Sequence, residues 1–300
     1  MKKLPKIVIT IPAYNEERTI GKVLRKIKKE MNNSKYKKNY KILVVDDGSR
    51  DNTAKISKLN KAIVYSHPIN YGLAETFRTE MDKCLNLKAD IIVHFDADGQ
   101  YLAKDIPKLI SFVEKGYDLV MGSRFKGKIE KMPIVKKIGN MAFSMVLSNI
   151  TRTRISDGQT GFRAFTKEVA KKIKIQSNHT YTQEQIIKAV KHKYRIKEVP
   201  IFFAKRRSGE SRLMKSPFEY AMKASSNIIR VYRDYEPLKF FGLIGGSIFG
   251  IGFLIGLYLV YLHLTEGIQG HIALTMLCVL VLMIGIQILS FGLIADMNRK

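Results

Sequence analysis

Asp96 and Asp98 stand one residue apart in IIVHFDADGQY, residues 91–101. An apolar run that reads as a strand delivers two carboxylates to its own end, with Gly99 and Gln100 directly after. Carboxylates so placed can face a hard divalent cation such as Mg²⁺ or Mn²⁺, which completes its shell with waters and a substrate's phosphates. The letters DADG also begin a calcium loop, but that loop needs Gly at its sixth position and Glu at its twelfth. Counted from Asp96, those positions are Tyr101 and Pro107, which excludes it. A turn with two solvated carboxylates is the plain alternative, and a lone D-x-D does not decide the matter.

The other strand ends do. KIVITIP reads as a strand ending in PAYNEE, KILVV as one ending in DDGS, and Asp118–Gly122 as one ending in GSR. Further strands are expected at 62–66 and 90–95. Helices are expected at 16–31, capped by Asn15 with Glu16 and Glu17 in the first turn, and at 73–85 and 105–114. Strands alternating with helices predict an α/β fold, Rossmann-like, with a mostly parallel sheet covered on both faces. Ligands of such sheets gather at the carboxyl ends of the strands, where these acids, amides and an arginine stand. Together they make one composite site.

The 300 residues carry a formal charge of +26, from 52 basic and 26 acidic groups. Residues 240–300 hold only Glu266, Asp296, Arg299 and Lys300, so the whole excess lies before them. Such a field favours an anionic partner: nucleic acid, an acidic membrane surface or a phosphorylated substrate. Cys84 and Cys278 have no metal-site or disulfide spacing. IVITI is too short for a signal peptide and is broken by Pro12.

Residues 240–262 and 272–295 are two uncharged apolar runs, each long enough to cross a bilayer as a helix. The link HLTEGIQGH is short and lacks Lys and Arg, while Arg230, Arg233, Lys239, Arg299 and Lys300 flank the outer ends. The positive-inside rule then predicts a hairpin in the cell membrane, with both termini and the large N-terminal region cytoplasmic. The glycines at 242, 245, 246, 250, 252 and 256 suit close helix contacts in lipid. Residues 133–150 and 216–235 read as amphipathic helices suited to the plane of a membrane surface. The expected organisation is a catalytic domain over 1–215, a juxtamembrane helix over 216–239 and the hairpin over 240–300.

Taken in order, PAYNEE, VVDDGSRDNT, NYGLAETFRT, FDADGQ and GSRF resemble the family-2 glycosyltransferases of the glycosyltransferase-A fold. DGQTGFRAF (157–165), VPIFFAKRRSGESRL (199–213) and the hairpin resemble the polyprenyl-phosphate members, such as the dolichol-phosphate mannose synthases. The resemblance implies that Pro12, Tyr14, Glu16 and Asp46 hold the nucleoside of a nucleotide sugar, with Asp47 beside them near the diphosphate. It implies that Asp96, Asp98 and Gln100 bind Mg²⁺ or Mn²⁺, and that Arg124, Arg163 and Arg206 face anionic groups, with Asp98, Arg124 and Arg206 acting in catalysis. Lys136 and Asn140 stand where the acceptor phosphate would be met, in place of the family's arginine and hydroxyl residue. Glu184 lies where sugar-acceptor relatives carry a base, in different surroundings.

The implied reaction moves one sugar, mannose from GDP-mannose being favoured, to dolichyl or polyprenyl phosphate with inversion. UDP-glucose and UDP-N-acetylglucosamine are the alternative donors. A lipid monophosphate is already an anionic nucleophile, which fits the absence of an obvious catalytic histidine. It needs cations around it, and arginine suits phosphate through its planar fork. A processive polysaccharide synthase would carry Q-x-x-R-W, and the chain has no tryptophan. A non-catalytic basic protein that binds nucleic acid or anionic lipid would have no use for carboxylates at its strand ends, which repel such partners. Nucleic acid is therefore not an expected partner, and the oligomeric state is left open.

Overall fold

The structure is a computed structural model and describes residues 4–177, 181–205, 217–267 and 271–298. It divides into two compact units, Met1–Ala221 and Met222–Lys300.

In the first unit the elements run β1 (Ile7–Ala13), α1 (Ile20–Asn32), β2 (Tyr40–Asp46), α2 (Thr53–Leu59), β3 (Ile63–Ser66), α3 (Leu73–Asn86), β4 (Ile91–His94), α4 (Ile106–Glu114), β5 (Leu119–Ile129), α5 (Ile134–Thr151), β6 (Arg163–Thr166), α6 (Lys167–Lys172), α7 (Thr182–Lys191) and β7 (Ile196–Phe203). Among the described residues these strands form one sheet in the order β3-β2-β1-β4-β6-β5-β7. All neighbouring pairs are parallel except those of β6, which runs antiparallel to both β4 and β5. The expectation of a mostly parallel α/β sheet agrees with this.

The central strands are β-branched and buried on both faces, as a covered parallel sheet requires. Ile7, Val8, Ile9 and Ile11 of β1 are at most 1% exposed, and Ile92 and Val93 of β4 are fully buried. Helix α1 turns Ile20, Val23, Leu24, Ile27 and Met31 to the sheet at helical spacing and leaves its lysines outside. The same face is completed by Ile106, Leu109, Ile110 and Val113 of α4. This rigid layer brings the strand ends that carry polar residues to one rim.

One boundary differs from expectation. Helix α1 begins at Ile20 with Thr19 at its cap, and Asn15 does not cap it. Asn15 takes a left-handed backbone (φ 51°) and its side chain bonds to the neighbouring loop. Helix α5 closes the unit with two unlike faces. Asn140, Phe143, Ser144, Leu147 and Thr151 are buried, while Ile134, Ile138, Met141 and Met145 are exposed in a row.

The chain continues into α8 (Pro217–Tyr235), and the second unit carries α9 (Pro237–Glu266) and α10 (Ile272–Met297). Both α9 and α10 are long and apolar enough to cross a membrane. They pack on each other through glycines. An added Cβ on Gly245 would lie 2.9 Å from the Gly285 carbonyl, and one on Gly252 2.9 Å from Leu282. Gly242, Gly246 and Gly250 face open space instead, so only part of the glycine pattern serves this contact.

Candidate active site

The first two strand ends are stitched to each other. Parallel pairing sets Ala13 opposite Asp46, so the loops after β1 and β2 leave side by side. The Asn15 N–H donates to Ser49 Oγ (2.9 Å), Glu16 N–H to Thr53 Oγ1 (2.8 Å) and Glu17 N–H to Asp51 (3.2 Å). In return Arg50 N–H donates to Asn15 Oδ1 (2.8 Å) and Asn52 N–H to Glu17 (3.1 Å). Pro12, Tyr14 and Glu16 are half-buried along this seam. Asp46 is 3% exposed, and its Oδ1 accepts from Ser49 N–H.

Asp47, expected near a diphosphate, is engaged by the protein itself. Its Oδ1 accepts from Tyr71 N–H (2.9 Å) and meets His67 Nδ1 (2.8 Å), and its Oδ2 accepts from Gly72 N–H (2.9 Å). It is 5% exposed. A carboxylate so fully occupied fastens the turn that enters α3 and has little left for a ligand.

Beyond β4 the situation reverses. Asp96 makes no hydrogen bond or ion pair among the described residues. Burial and the neighbouring Asp98 carboxylate push it up to about 6, against the pull of His94 and Arg124. Asp98 Oδ1 accepts from Gln100 N–H (3.0 Å), and the Gln100 Nε2 donates to Ala204 O (3.1 Å). Gly161 makes room for the pair, because a Cβ there would lie 2.7 Å from Asp96 Oδ1. A half-buried carboxylate beside a second half-buried carboxylate, with a glycine cleared for it, fits a divalent cation shared with phosphates. No group of three or more His, Cys, Asp or Glu side chains among the described residues forms a metal cluster. The fit is therefore to a cation that a ligand's own oxygens complete.

Behind Asp96 lies a buried polar group that the sequence did not announce. The His94 ring sits 2.8 Å from Gly161 O through Nδ1 and 3.2 Å from Glu80 through Nε2. Thr10 Oγ1 donates to Glu80 Oε1 (2.9 Å). Burial opposes charging His94, but the Glu80 carboxylate outweighs it and the ring's pKa is raised. The Glu80–His94 contact is close enough for ion pairing but is not aligned as a hydrogen bond.

Arg124 reaches the rim from β5 and is clamped. Its Nε and Nη2 donate to the two oxygens of Asp157, each at 2.7 Å, and its backbone N–H donates to Asp157 Oδ2 at 2.9 Å. Burial works against its charge, but Asp157 holds the guanidinium protonated and raises its pKa. The guanidinium also lies over the Phe203 ring, 5.2 Å from its centroid. Asp157 is itself held by Glu198, whose Oε1 accepts from Ser156 N–H (2.8 Å) and Asp157 N–H (3.0 Å). Sequence reasoning missed both acids. The available signal was a glutamate inside the apolar strand KEVPIFF, where an unpaired charge is costly.

One further expectation needs correction, and the surroundings of three other residues are now plain. Arg163 does not face a ligand. It is fully buried and donates to Thr160 O, Thr182 O, Gly158 O and Gln185 Oε1, and burial lowers its pKa. It starts the antiparallel β6, so its side chain points into the protein and ties α7 to the sheet. Asn140 is 1% exposed on the inner face of α5, whereas Lys136, one turn earlier, is half-exposed. Glu184 caps a loop, accepting from Gln176 N–H (2.8 Å) and Ser177 N–H (2.9 Å) with Lys188 at 2.6 Å. Arg206, with Arg207 and Arg212, lies outside the described residues.

Comparisons with known proteins give the family and the fold. The profile of Glycosyl transferase family 2 matches residues 8–174. The chain is 35% identical, over 65% of its length and 84% of the relative's, to the UDP-N-acetylglucosamine–dolichyl-phosphate N-acetylglucosaminyltransferase of Methanococcus voltae. It is 30% identical, over 75% of its length and 93% of the relative's, to the dolichyl-phosphate hexose transferase of Haloferax volcanii. Among solved structures, glucosyl-3-phosphoglycerate synthase of Mycobacterium tuberculosis with Mn²⁺ and UDP-glucose superposes with a TM-score of 0.58. That match covers 76% of this chain and 78% of the other at 18% identity, and it is a likeness of fold.

Proposed function

The chain belongs to glycosyltransferase family 2, and from that premise we propose that it moves one sugar from a nucleotide sugar to the phosphate of a dolichyl or other polyprenyl lipid at the cytoplasmic face of a membrane. The observation that carries the reading is the half-buried Asp96–Asp98 pair just beyond β4, with a clamped arginine on β5. The names of the two relatives add the lipid phosphate as acceptor.

The nucleoside of the donor would rest on the seam between the loops after β1 and β2, at Pro12, Tyr14, Glu16 and Asp46. Asp96 and Asp98, with Gln100 at the edge, would hold Mg²⁺ or Mn²⁺. A bound divalent cation supplies positive charge to the departing diphosphate. An oxygen of the lipid phosphate attacks the anomeric carbon as the bond from that carbon to the diphosphate breaks, so the configuration inverts. Nucleoside diphosphate leaves and no proton need be removed from the nucleophile. Arg124 would stand by the acceptor's charge, with Lys136 and Arg206 as further cations. The fixed positive edge of Arg124 brings one anion up to another without reorganising during the step.

Helices α9 and α10 would anchor the enzyme, with the basic flanks at their outer ends toward the cytoplasm. The exposed row Ile134, Ile138, Met141 and Met145 on α5 suits shallow burial among headgroups, where a lipid phosphate resides. GDP-mannose is one donor to test. UDP-N-acetylglucosamine is the second reading, favoured by the 35% identity to an enzyme named for that donor.

The test uses the full chain in detergent with Mn²⁺ or Mg²⁺, dolichyl phosphate, and GDP-mannose, UDP-glucose or UDP-N-acetylglucosamine in separate reactions. Radiolabel should pass to the lipid phase from one donor and stop when the cation is chelated. Folded protein that transfers label from none of them would overturn the proposed acceptor or donor class.

A further inference from the structure

Glu198 stands on β7, behind the rim, and is 9% exposed. Its Oε1 accepts the N–H groups of Ser156 and Asp157, and its Oε2 accepts from Ser156 Oγ (2.9 Å) and pairs with Lys126 Nζ (2.7 Å). Ser156 Oγ also lies 2.7 Å from Ser123 Oγ on β5. The turn at Ser156–Asp157 is thus pinned from two strands. The second residue of that turn, Asp157, is the carboxylate that grips Arg124.

The charges alternate along this path: Lys126, Glu198, Asp157, Arg124. Each acid has a cation beside it, so the row is internally neutral although three of its members are buried. Asp157 meets the guanidinium edge-on at Nε and Nη2, which fixes the plane of the fork. Nη1 donates to no group among the described residues. The geometry therefore leaves Arg124 one directed donor edge, and that direction depends on where the 156–157 turn is held.

We infer that Glu198 is a positioning residue for Arg124: by holding the Ser156–Asp157 turn it sets the orientation of the guanidinium edge offered to an anionic substrate. The substrate part rests on the reading that Arg124 meets the acceptor's phosphate. The positioning part rests on the distances alone. A merely structural glutamate would, on removal, weaken the whole unit. A positioning one would spare the donor seam between the loops after β1 and β2, whose own hydrogen bonds do not involve it.

The experiment compares the wild type, Glu198→Ala, Glu198→Gln, Arg124→Ala and the Glu198→Ala/Arg124→Ala double variant of the full chain in detergent. Apparent KM values are read separately for polyprenyl phosphate and for the nucleotide sugar. The ¹⁵N–¹H signal of the Arg124 Nε–H, assigned by its loss in Arg124→Lys, is read without substrate. Glu198→Ala should raise the acceptor KM about tenfold, as loss of a hydrogen-bonded support worth ~1.4 kcal/mol would, and leave the donor KM within about twofold. The Nε–H signal should broaden or exchange faster. Glu198→Gln, whose Oε1 can still accept both N–H groups, should restore most of each value. The double variant should be no worse than Arg124→Ala, since the two act as one unit.

An unchanged Nε–H signal in Glu198→Ala would overturn the inference. So would losses that multiply in the double variant, or equal increases in both KM values. If the signal collapses in Glu198→Ala while the wild type transfers no sugar to lipid, the positioning stands and the acceptor reading falls.

Discussion

Two pairs of acids, one at the rim of the sheet and one reaching behind it, are treated differently. Asp157 and Glu198 are saturated, one by a guanidinium fork and the other by two backbone N–H groups, a hydroxyl and a lysine. Asp96 makes no hydrogen bond or ion pair among the described residues, and burial, with the Asp98 carboxylate beside it, pushes its pKa up. Pairing turns an acid into scaffold. A carboxylate held beside a like charge, as Asp96 is beside Asp98, favours a cation. The difference separates the residues that build the site from those that meet its ligands, which residue type alone does not do.

The comparison can be broken most directly at the saturated pair. Asp157→Ala leaves the Arg124 charge buried and unpaired, and should cost about 3–5 kcal/mol of stability, read as a fall in denaturation midpoint. A near-neutral result would mean the clamp is not the scaffold described. Asp98→Ala should act the other way. Transfer should fall about 10³-fold, the ~4 kcal/mol expected for loss of cation charge at the leaving group. Melting temperature should fall less than in Asp157→Ala, because loss of the Gln100 N–H contact is offset by removal of a like charge beside Asp96. A stability loss as large as that of Asp157→Ala would erase the distinction.

Gly161→Ala sharpens it. The new Cβ would press on the Asp96 carboxylate, and displacing that group by part of an ångström should cost about 10²-fold in transfer. Titration with Mn²⁺ should show weaker cation binding in the same variant. The smallest effect is expected at Glu184→Gln. Its oxygens serve two loop N–H groups, so transfer should stay at the wild-type rate, with a stability loss of about 1 kcal/mol. A collapse in kcat with an altered pH profile would restore Glu184 as a base.

The strand ends were legible because each joins a β-branched run to a polar tip, a pattern local to a few residues. The burial of Asp47 and Arg163 was not. Both belong to motifs that look ligand-facing, and what decided their roles was how many partners the fold brings from far along the chain: Tyr71 and Gly72 for Asp47, Thr182 and Gln185 for Arg163. Asn15 has the chemistry of a helix cap, but the facing loop claimed its side chain first. The direction of β6 was equally hidden. RAFT is short and buried, and a buried run carries no mark of which way it points.

That reversed strand has a consequence for how the protein is made. Among the described residues, strand β5 pairs only with β6 and β7, both of which follow it in the chain. While synthesis passes through α5 and the turn beyond it, β5 waits with both edges bare, although β1, β2 and β4 can already assemble. Non-local pairing of this kind is slow and invites association between unfinished chains. Lys126 and Lys128, both exposed on β5, carry the type of charge that discourages such pairing. Lys126 would thus serve twice, first as a guard on an unfinished edge and then as the partner of Glu198.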